Sequence, residues 1–177
     1  QPVEYGIPGM SILPYYHNQY ITFGSFSRFE KMSVDCLRFF AAILKAVPES
    51  RLFLKDHAFK RPHSIKRVLS FMEGIESGRV MFGTSTSHQE HMLTYQTVDL
   101  YLDPWPHGGG VVCMEVLYTG VPIITMYGKQ AAGRTASSVL TAMKRMDWIA
   151  KTTEEYVAIA VKMASDPQAL AAVRKTL

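Results

Sequence analysis

Three consecutive glycines, Gly108, Gly109 and Gly110, form the segment of the sequence whose chemistry is easiest to interpret. They lie between a predicted strand and a predicted helix, and glycine costs about 0.5–1 kcal/mol relative to alanine in regular structure. Their clustering therefore indicates a turn in which side chains are not tolerated. The amides of Val111, Val112 and Cys113 would then be exposed at the start of the helix, where backbone N–H groups bind anions such as phosphate. The segment is neither a GxGxxG motif nor a P-loop, so neither name applies to it.

Glu115 follows one turn into the same predicted helix. Its carboxylate could accept hydrogen bonds from the two hydroxyls of a ribose, which would extend a phosphate site into a nucleotide site. An exposed helical glutamate that is favoured by the helix dipole is the alternative interpretation of the same residue.

Positively charged side chains follow two other predicted strands. Ser25, Arg28 and Lys31 lie between the first strand and the next helix, and a helix start with a nearby ammonium favours a phosphate site. After the fifth strand, Lys129 or Arg134 could also reach a phosphate. Ordinary surface cations, or an Arg134 that pairs only within its own helix, explain these residues without a ligand.

The loop after the third predicted strand is rich in small polar side chains and contains two histidines, His88 and His91. Thr86 and its neighbours suit recognition of a nucleobase edge, with an imidazole in contact with the ring. The two histidines could form part of a zinc site, but the motif is neither HExxH nor HxxEH and no third ligand is obvious. A helix-capping pair, Ser87 and Glu90, with solvated histidines is the alternative, and it is compatible with base recognition.

The overall composition excludes several classes of protein. Of the 177 residues, 47% are apolar and 19% are charged, which excludes a disordered chain and allows one domain with a sizeable core. The net charge of +4 suits an anionic small molecule and is too weak to argue for nucleic acid. No window approaches the roughly 18 apolar residues of a membrane span, and no signal peptide is visible. With only Cys36 and Cys113, we expect a cytoplasmic protein without a disulfide scaffold.

Short apolar runs alternate with helical patterns along the chain, which is typical of a parallel sheet with helices on both faces. We therefore expect an α/β, doubly wound, Rossmann-like domain over residues 20–177, after an irregular lead-in over residues 1–19. In such sheets the ligand binds at the carboxyl ends of the strands, in the loops that carry the candidate residues. The five predicted strands are 20–24, 51–55, 79–82, 98–102 and 121–125. Helices are predicted to begin at Ser33, Pro62, Ser87, Val111, Ala132, Thr152 and Asp166. The helix from Ala132 is predicted to run to about Met146.

With these residues in hand, the sequence resembles the O-linked N-acetylglucosamine transferases and their SPINDLY-type relatives in bacteria and plants. The resemblance runs from about Ile21 to the end of the chain, and the glycine loop with its flanks is the specific part of it. The segments that carry it are 21–26 with Lys31, 79–82 with His91, 99–104 with the glycines, 115–125, and Gly128, Arg134, Ser137 and Ser138.

The resemblance implies the C-terminal half of a GT-B glycosyltransferase, the half that holds most of the nucleotide-sugar. By this resemblance, Lys31 contacts the donor diphosphate and stabilises the leaving nucleotide. Glu115 binds the ribose hydroxyls, and the helix-start amides hold the diphosphate. The remaining matched positions are Thr86 and His88 at the base, His91 near the base and ribose, and Gly110, Val111 and Val112 at the helix start.

The sequence also departs from the animal members of the family, which carry His-Thr-Thr at positions 110–112, Lys in place of His88, and Asp in place of Glu115. The expected donor is UDP-N-acetylglucosamine, with GDP-fucose as the SPINDLY-type alternative. A sugar-nucleotide 2-epimerase, a small-molecule glycosyltransferase half, and a non-catalytic nucleotide-binding module remain open as further alternatives.

The resemblance implies partners as well. We expect a nucleotide-sugar donor, no metal or other cofactor, and a protein acceptor presented by an N-terminal GT-B half and by TPR repeats that this chain lacks. Neither nucleic acid nor a membrane is expected as a partner. The chain is interpreted as a truncated piece that binds nucleotide weakly and does not transfer sugar alone.

Overall fold

A computed structural model describes residues 9–177 as six strands and eight α-helices, joined by short turns and 3-10 segments. Strands and helices alternate from the first strand to the last, as the apolar pattern predicts. The strands are β1 Thr22–Ser25, β2 Arg51–Lys55, β3 Val80–Gly83, β4 Leu100–Leu102, β5 Ile123–Met126 and β6 Ile149–Ala150, and the helices are α1 Tyr15–Asn18, α2 Val34–Ala46, α3 Pro62–Leu69, α4 His88–Thr94, α5 Val111–Tyr118, α6 Thr135–Ala142, α7 Thr153–Ala164 and α8 Pro167–Arg174.

The strands form one six-stranded sheet in the order β3-β2-β1-β4-β5-β6, and every neighbouring pair is parallel. At its centre, Gly24 of β1 lies between Phe53 of β2 and Tyr101 of β4. The predicted doubly wound α/β class is therefore confirmed. The strand order reverses between β1 and β4, and a sheet of this kind has its ligand crevice at that point, outside the carboxyl ends of the strands.

The hydrophobic core lies on both faces of the sheet because successive strand residues point to opposite sides. Leu100 and Leu102 of β4 pack in one apolar cluster, with α2 and α7, while Tyr101 between them packs in the other, with α5 and α6. In β5, Ile124 and Ile123 divide between the two clusters in the same way. Burial on both faces explains why the strands are almost wholly apolar.

Local capping signals place the helix starts where the sequence predicts them. The Ser33 hydroxyl accepts a hydrogen bond from the Cys36 amide at the start of α2. At α4, Ser87 and Glu90 form the reciprocal capping box. Asp166 caps α8 ahead of Pro167. Each cap supplies an acceptor to amides that the first helical turn leaves without one.

Apart from shifts of one or two residues at the ends of strands, two elements after β1 differ from the sequence prediction. A sixth strand, β6, extends the sheet beyond β5; it has two residues, too short to show a period. The helix predicted over 132–146 is shorter, since α6 spans Thr135–Ala142 and Lys144 adopts a left-handed conformation with φ 59°. That conformation ends a right-handed helix, so the prediction was wrong about its length.

Part of the predicted lead-in belongs to the domain. Leu13 is buried in the core, and the short helix α1 follows it. The buried Asp99 carboxylate accepts hydrogen bonds from the amides of Tyr15 and Thr22, both at 2.8 Å, and so ties α1 to the start of β1. Residues 1–8 of the predicted lead-in lie outside the described residues.

Candidate functional site

Two loops meet at the point where the strand order reverses. Lys31, after β1, donates from its Nζ to the Gly108 carbonyl, after β4, at 3.0 Å. The Ser33 hydroxyl donates to the Trp105 carbonyl at 2.9 Å, and Met32 forms an antiparallel bridge with Pro106. The sheet order thus brings the predicted lysine against the predicted glycine loop, although the two are 77 positions apart in the sequence.

The charge at this contact is set by three side chains. Partial burial lowers the pKa of Lys31, the Arg28 guanidinium lowers it further, and the Asp103 carboxylate acts in the opposite direction. Burial raises the pKa of Asp103 to about 6, against the hydrogen bonds from Gly109 and Thr125 and the charge of Lys31. The glycine loop is therefore contacted by the Lys31 ammonium at Gly108 and by the buried Asp103 carboxylate at Gly109.

Asp103 also determines which glycines of the loop are required. The Gly109 amide donates to Asp103 Oδ1 at 2.6 Å, and the Thr125 hydroxyl donates to Oδ2 at 2.7 Å. A Cβ at Gly108 would lie 2.6 Å from Oδ2, and one at Gly109 would lie 3.1 Å from Oδ1. At Gly110, by contrast, a Cβ would meet nothing within 4 Å. The expected intolerance of side chains thus has a physical reason at Gly108 and Gly109, namely Asp103, and the expectation was wrong in extending it to Gly110.

The N-terminus of α5 opens from this loop. Val111 is 72% exposed, Gly110 and Val112 are partly exposed, and no side chain caps the helix. The Cys113 amide was also expected to be exposed, but it donates to the Gly110 carbonyl at 3.1 Å, so that part of the prediction was wrong. The first amides of a helix have no acceptor within it, and together with the helix dipole they favour an anion. The Lys31 ammonium, held by the Gly108 carbonyl, adds a positive charge beside the same turn.

A chain of hydrogen bonds connects the loop after β3 to α5. Lys55, the last residue of β2, contacts the Thr86 hydroxyl and the Nδ1 of His91, both at 2.9 Å. The other ring nitrogen of His91 lies 3.0 Å from the Tyr95 hydroxyl, which donates to Glu115 Oε2 at 3.1 Å. Three residues predicted for base and ribose contacts, Thr86, His91 and Glu115, therefore belong to one connected network.

A cavity of about 230 Å³ opens at one end of this network, between the loops after β2 and β3. Its lining includes Thr86, Lys55 and His91, together with the ring of Phe26. His88 is exposed at the first turn of α4, in the same loop. Thr86 and His91, two of the side chains predicted to contact the base, thus lie at a concave surface on the carboxyl side of the sheet, whereas His88 does not line this cavity.

The two other predicted residues lie in different surroundings. Ser25 is completely buried at the end of β1, beneath the site. Arg134 donates to the carbonyls of Gly128 and Lys129, both at 2.8 Å, and lies over the Tyr127 ring. The guanidinium therefore closes the loop after β5, which neither interpretation of Arg134 anticipated.

Neither a cluster of metal-ligating side chains nor a membrane-spanning helix is present among the described residues. Within residues 9–177, no three His, Cys, Asp or Glu side chains are grouped so that they could hold a metal ion. The helices in the same range lack the combination of length and apolar composition that a membrane span requires.

Sequence reasoning missed three residues of this region as site residues: Lys55, Tyr95 and Asp103. Lys55 and Asp103 each stand at or directly after the carboxyl end of a predicted strand, and a charged residue at that position is a signal that could have found them. Tyr95 offers no comparable signal, because its role depends on His91 one turn before it and on Glu115 from another element.

Comparison with known proteins agrees with this geometry. The sequence profile of glycosyl transferase family 41 matches residues 12–177. The chain belongs to this family. Its relatives include the probable UDP-N-acetylglucosamine--peptide N-acetylglucosaminyltransferase SPINDLY of Hordeum vulgare, 38% identical over 167 residues, which are 93% of this chain and 18% of that protein. The Arabidopsis thaliana SPINDLY protein is 37% identical with the same coverage.

Solved structures show the same relationship. A variant of the Thermobaculum terrenum O-GlcNAc transferase superposes with a TM-score of 0.85 at 30% identity, covering 88% of this chain and 30% of that one. The trehalose-6-phosphate synthase OtsA, at 17% identity and a TM-score of 0.59, shares the fold alone. The structural neighbours are GT-B glycosyltransferases, and this chain is a glycosyltransferase-family domain that spans about a fifth of the curated relatives it matches.

Proposed function

We propose that this chain is the donor-binding half of a protein O-glycosyltransferase that transfers N-acetylglucosamine from UDP-N-acetylglucosamine to serine or threonine hydroxyls. Membership of family 41 supports the reaction class, and relatives are named as peptide N-acetylglucosaminyltransferases. The observation that carries the proposal is the Lys31 ammonium against the Gly108 carbonyl, beside the uncapped start of α5.

In this proposal the donor lies along the carboxyl edge of the sheet. Its diphosphate binds the amides of Gly110, Val111 and Val112 at the start of α5, and Lys31 contacts the diphosphate from the opposite side. The ribose hydroxyls donate to Glu115, one turn further along that helix. The base extends toward the cavity near His91, where the loop with Thr86 and His88 surrounds it.

The chemistry of the transfer gives Lys31 and the helix start their role. The oxygen of the acceptor hydroxyl forms a bond to the anomeric carbon and loses its proton to water as the bond to the diphosphate breaks, and negative charge develops on the leaving phosphate. Donors that already point at that charge lower the barrier, and one such donor is worth about 2.7–4 kcal/mol in comparable oxyanion sites. An ammonium with helix-start amides supplies the stabilisation without a metal ion, so we expect EDTA to leave turnover unchanged.

Nucleotide binding by the 177-residue chain is the first test. UDP is expected to raise the unfolding temperature of the chain and ADP is not, whereas a rise selective for GDP would assign the donor to the GDP-fucose alternative. Lys31→Ala should reduce the UDP effect, while Lys66→Ala, an exposed lysine on α3, serves as the matched control. If neither UDP nor GDP stabilises the chain, the donor-binding assignment is wrong.

Turnover is the second test, and it requires the complete enzyme. There Lys31→Ala should lower kcat by at least about 100-fold, the loss of one oxyanion donor, while the fold stays intact. The isolated chain should not transfer sugar, because the acceptor is presented by the other half. Near-normal turnover of Lys31→Ala would exclude Lys31 from the chemistry.

A further inference from the structure

The hydrogen-bond chain from Lys55 to Glu115 has a direction that follows from the chemistry of its members. Lys55 is 6% exposed, and its ammonium has donors only. The Nδ1 of His91, 2.9 Å away, must therefore be the acceptor. In a neutral imidazole with a bare Nδ1, the single ring proton is on Nε2.

The rest of the chain takes its direction from that proton. His91 Nε2–H donates to the Tyr95 hydroxyl oxygen at 3.0 Å, which leaves the tyrosine proton free to donate onward. That proton goes to Glu115 Oε2 at 3.1 Å, on α5. Each group donates once toward Glu115, so reversing any one bond would set two donors or two acceptors face to face.

We propose that Lys55 and Tyr95 are positioning residues, which act through His91 to orient the Glu115 carboxylate toward the bound nucleotide and so couple the two ends of the site. This proposal rests on the proposed function for the nucleotide itself. Tyr95 occupies one lobe of Oε2, so Glu115 presents its remaining lone pairs to the ligand in one orientation. Lys55 holds the Thr86 loop and His91 at the same time.

The electrostatics and packing of the network agree with this assignment. Burial first, and then the charges of Lys55 and His88, lower the pKa of His91 to about 4, so the imidazole is neutral at pH 7. Tyr95 is completely buried and lies against the rings of Phe26 and His91. Its hydroxyl has a fixed direction because the ring cannot move without disturbing this aromatic cluster.

The tautomer of His91 is the test that needs no nucleotide. In the free 177-residue chain at pH 7, ¹⁵N NMR of the imidazole should show the Nε2–H tautomer, and Lys55→Met should produce a mixture of tautomers. Lys60→Met, an exposed lysine in the segment after β2, should leave the spectrum unchanged. An Nδ1–H tautomer or an imidazolium in the parent chain would overturn the proposal, as would a Lys55→Met spectrum identical to that of the parent.

Nucleotide affinity tests the connection to Glu115. By calorimetry with UDP and GDP, Tyr95→Phe should weaken binding about 10-fold, the loss expected for one hydrogen bond to a charged group. In a Glu115→Ala background the same substitution should have almost no effect, because its target is gone. The control is Tyr118→Phe, which alters a half-exposed tyrosine on the same helix as Glu115.

The outcomes separate the two proposals. If the parent binds neither UDP nor GDP, the donor-binding function fails and the positioning role toward a nucleotide fails with it, while the His91 tautomer still decides whether Lys55 sets the direction of the hydrogen bonds to Glu115. If the parent binds and Tyr95→Phe costs the same with and without Glu115, Tyr95 does not act through that carboxylate. If Lys55→Met weakens nucleotide binding as much in the Tyr95→Phe background as it does in the parent chain, Lys55 contacts the ligand directly, which also refutes the positioning role.

Discussion

The glycine loop supports a sharp stability prediction, because its three glycines differ in what a methyl group would meet. An added Cβ would lie 2.6 Å from the Asp103 carboxylate at Gly108, 3.1 Å from it at Gly109, and more than 4 Å from any neighbour at Gly110. We therefore expect Gly108→Ala to be the most destabilising of the three substitutions, Gly109→Ala to be intermediate, and Gly110→Ala to be close to neutral.

The magnitude follows from the room that Asp103 lacks. To restore an ordinary contact of 3.4 Å, the carboxylate must withdraw by about 0.8 Å from the methyl group of Gly108→Ala. Asp103 is 1% exposed and is held by the Gly109 amide and the Thr125 hydroxyl, so withdrawal strains one of these bonds. Overpacking of this kind lowers the free energy of unfolding by about 1–3 kcal/mol. Because a hydrogen bond to the carboxylate is also partly lost, we expect Gly108→Ala to lower it by about 2–3 kcal/mol.

Gly110→Ala is the matched control within the same turn. Its φ of −96° is accessible to alanine, while its ψ of −93° lies outside the usual helical range, so we expect a change within about 1 kcal/mol. Urea unfolding of the 177-residue chain, followed by circular dichroism, gives the free energy of each variant. If Gly108→Ala and Gly110→Ala unfold with the same free energy, Asp103 does not limit the loop and this account of the glycines is refuted.

Two further predictions concern single groups. Because burial, Lys55 and His88 hold the pKa of His91 down to about 4, an NMR titration of the imidazole should show a neutral ring from pH 7 to pH 5. A titration midpoint near 6.5 would contradict this. Lys55→Met should raise the midpoint only in part, because the burial of the ring remains. Thr125→Val removes one of the two donors to Asp103 and should cost about 1.5–3 kcal/mol in urea unfolding. It should also raise the pKa of Asp103 above about 6, because the lost bond favours the ionised form. Thr141→Val, an exposed helical threonine, is the control for Thr125 and should change stability by less than about 0.5 kcal/mol; equal effects at the two positions would exclude a special role for Thr125.

Local signals were sufficient to predict most of the elements. Strand β2 and helix α5 begin and end where the residue pattern places them, and the Ser33 and Ser87 caps mark the starts of α2 and α4. These features depend on residues within about four positions of one another, which is the range over which periodicity and capping act. Where an element has two residues, as β6 does, no such pattern exists, and the prediction failed there.

The sequence by itself thus determined the α/β alternation, the loops that face the ligand edge, and the types of residue in them. Only the tertiary structure decided which of those residues touch: Lys31 on Gly108, Asp103 under the glycines, and Lys55 joined to Glu115 through His91 and Tyr95. The reason is that these contacts join residues from different strands and loops, and the order of strands in the sheet brings those elements together. A periodic pattern states which face of an element is buried, and it carries no information about which other element lies beside it.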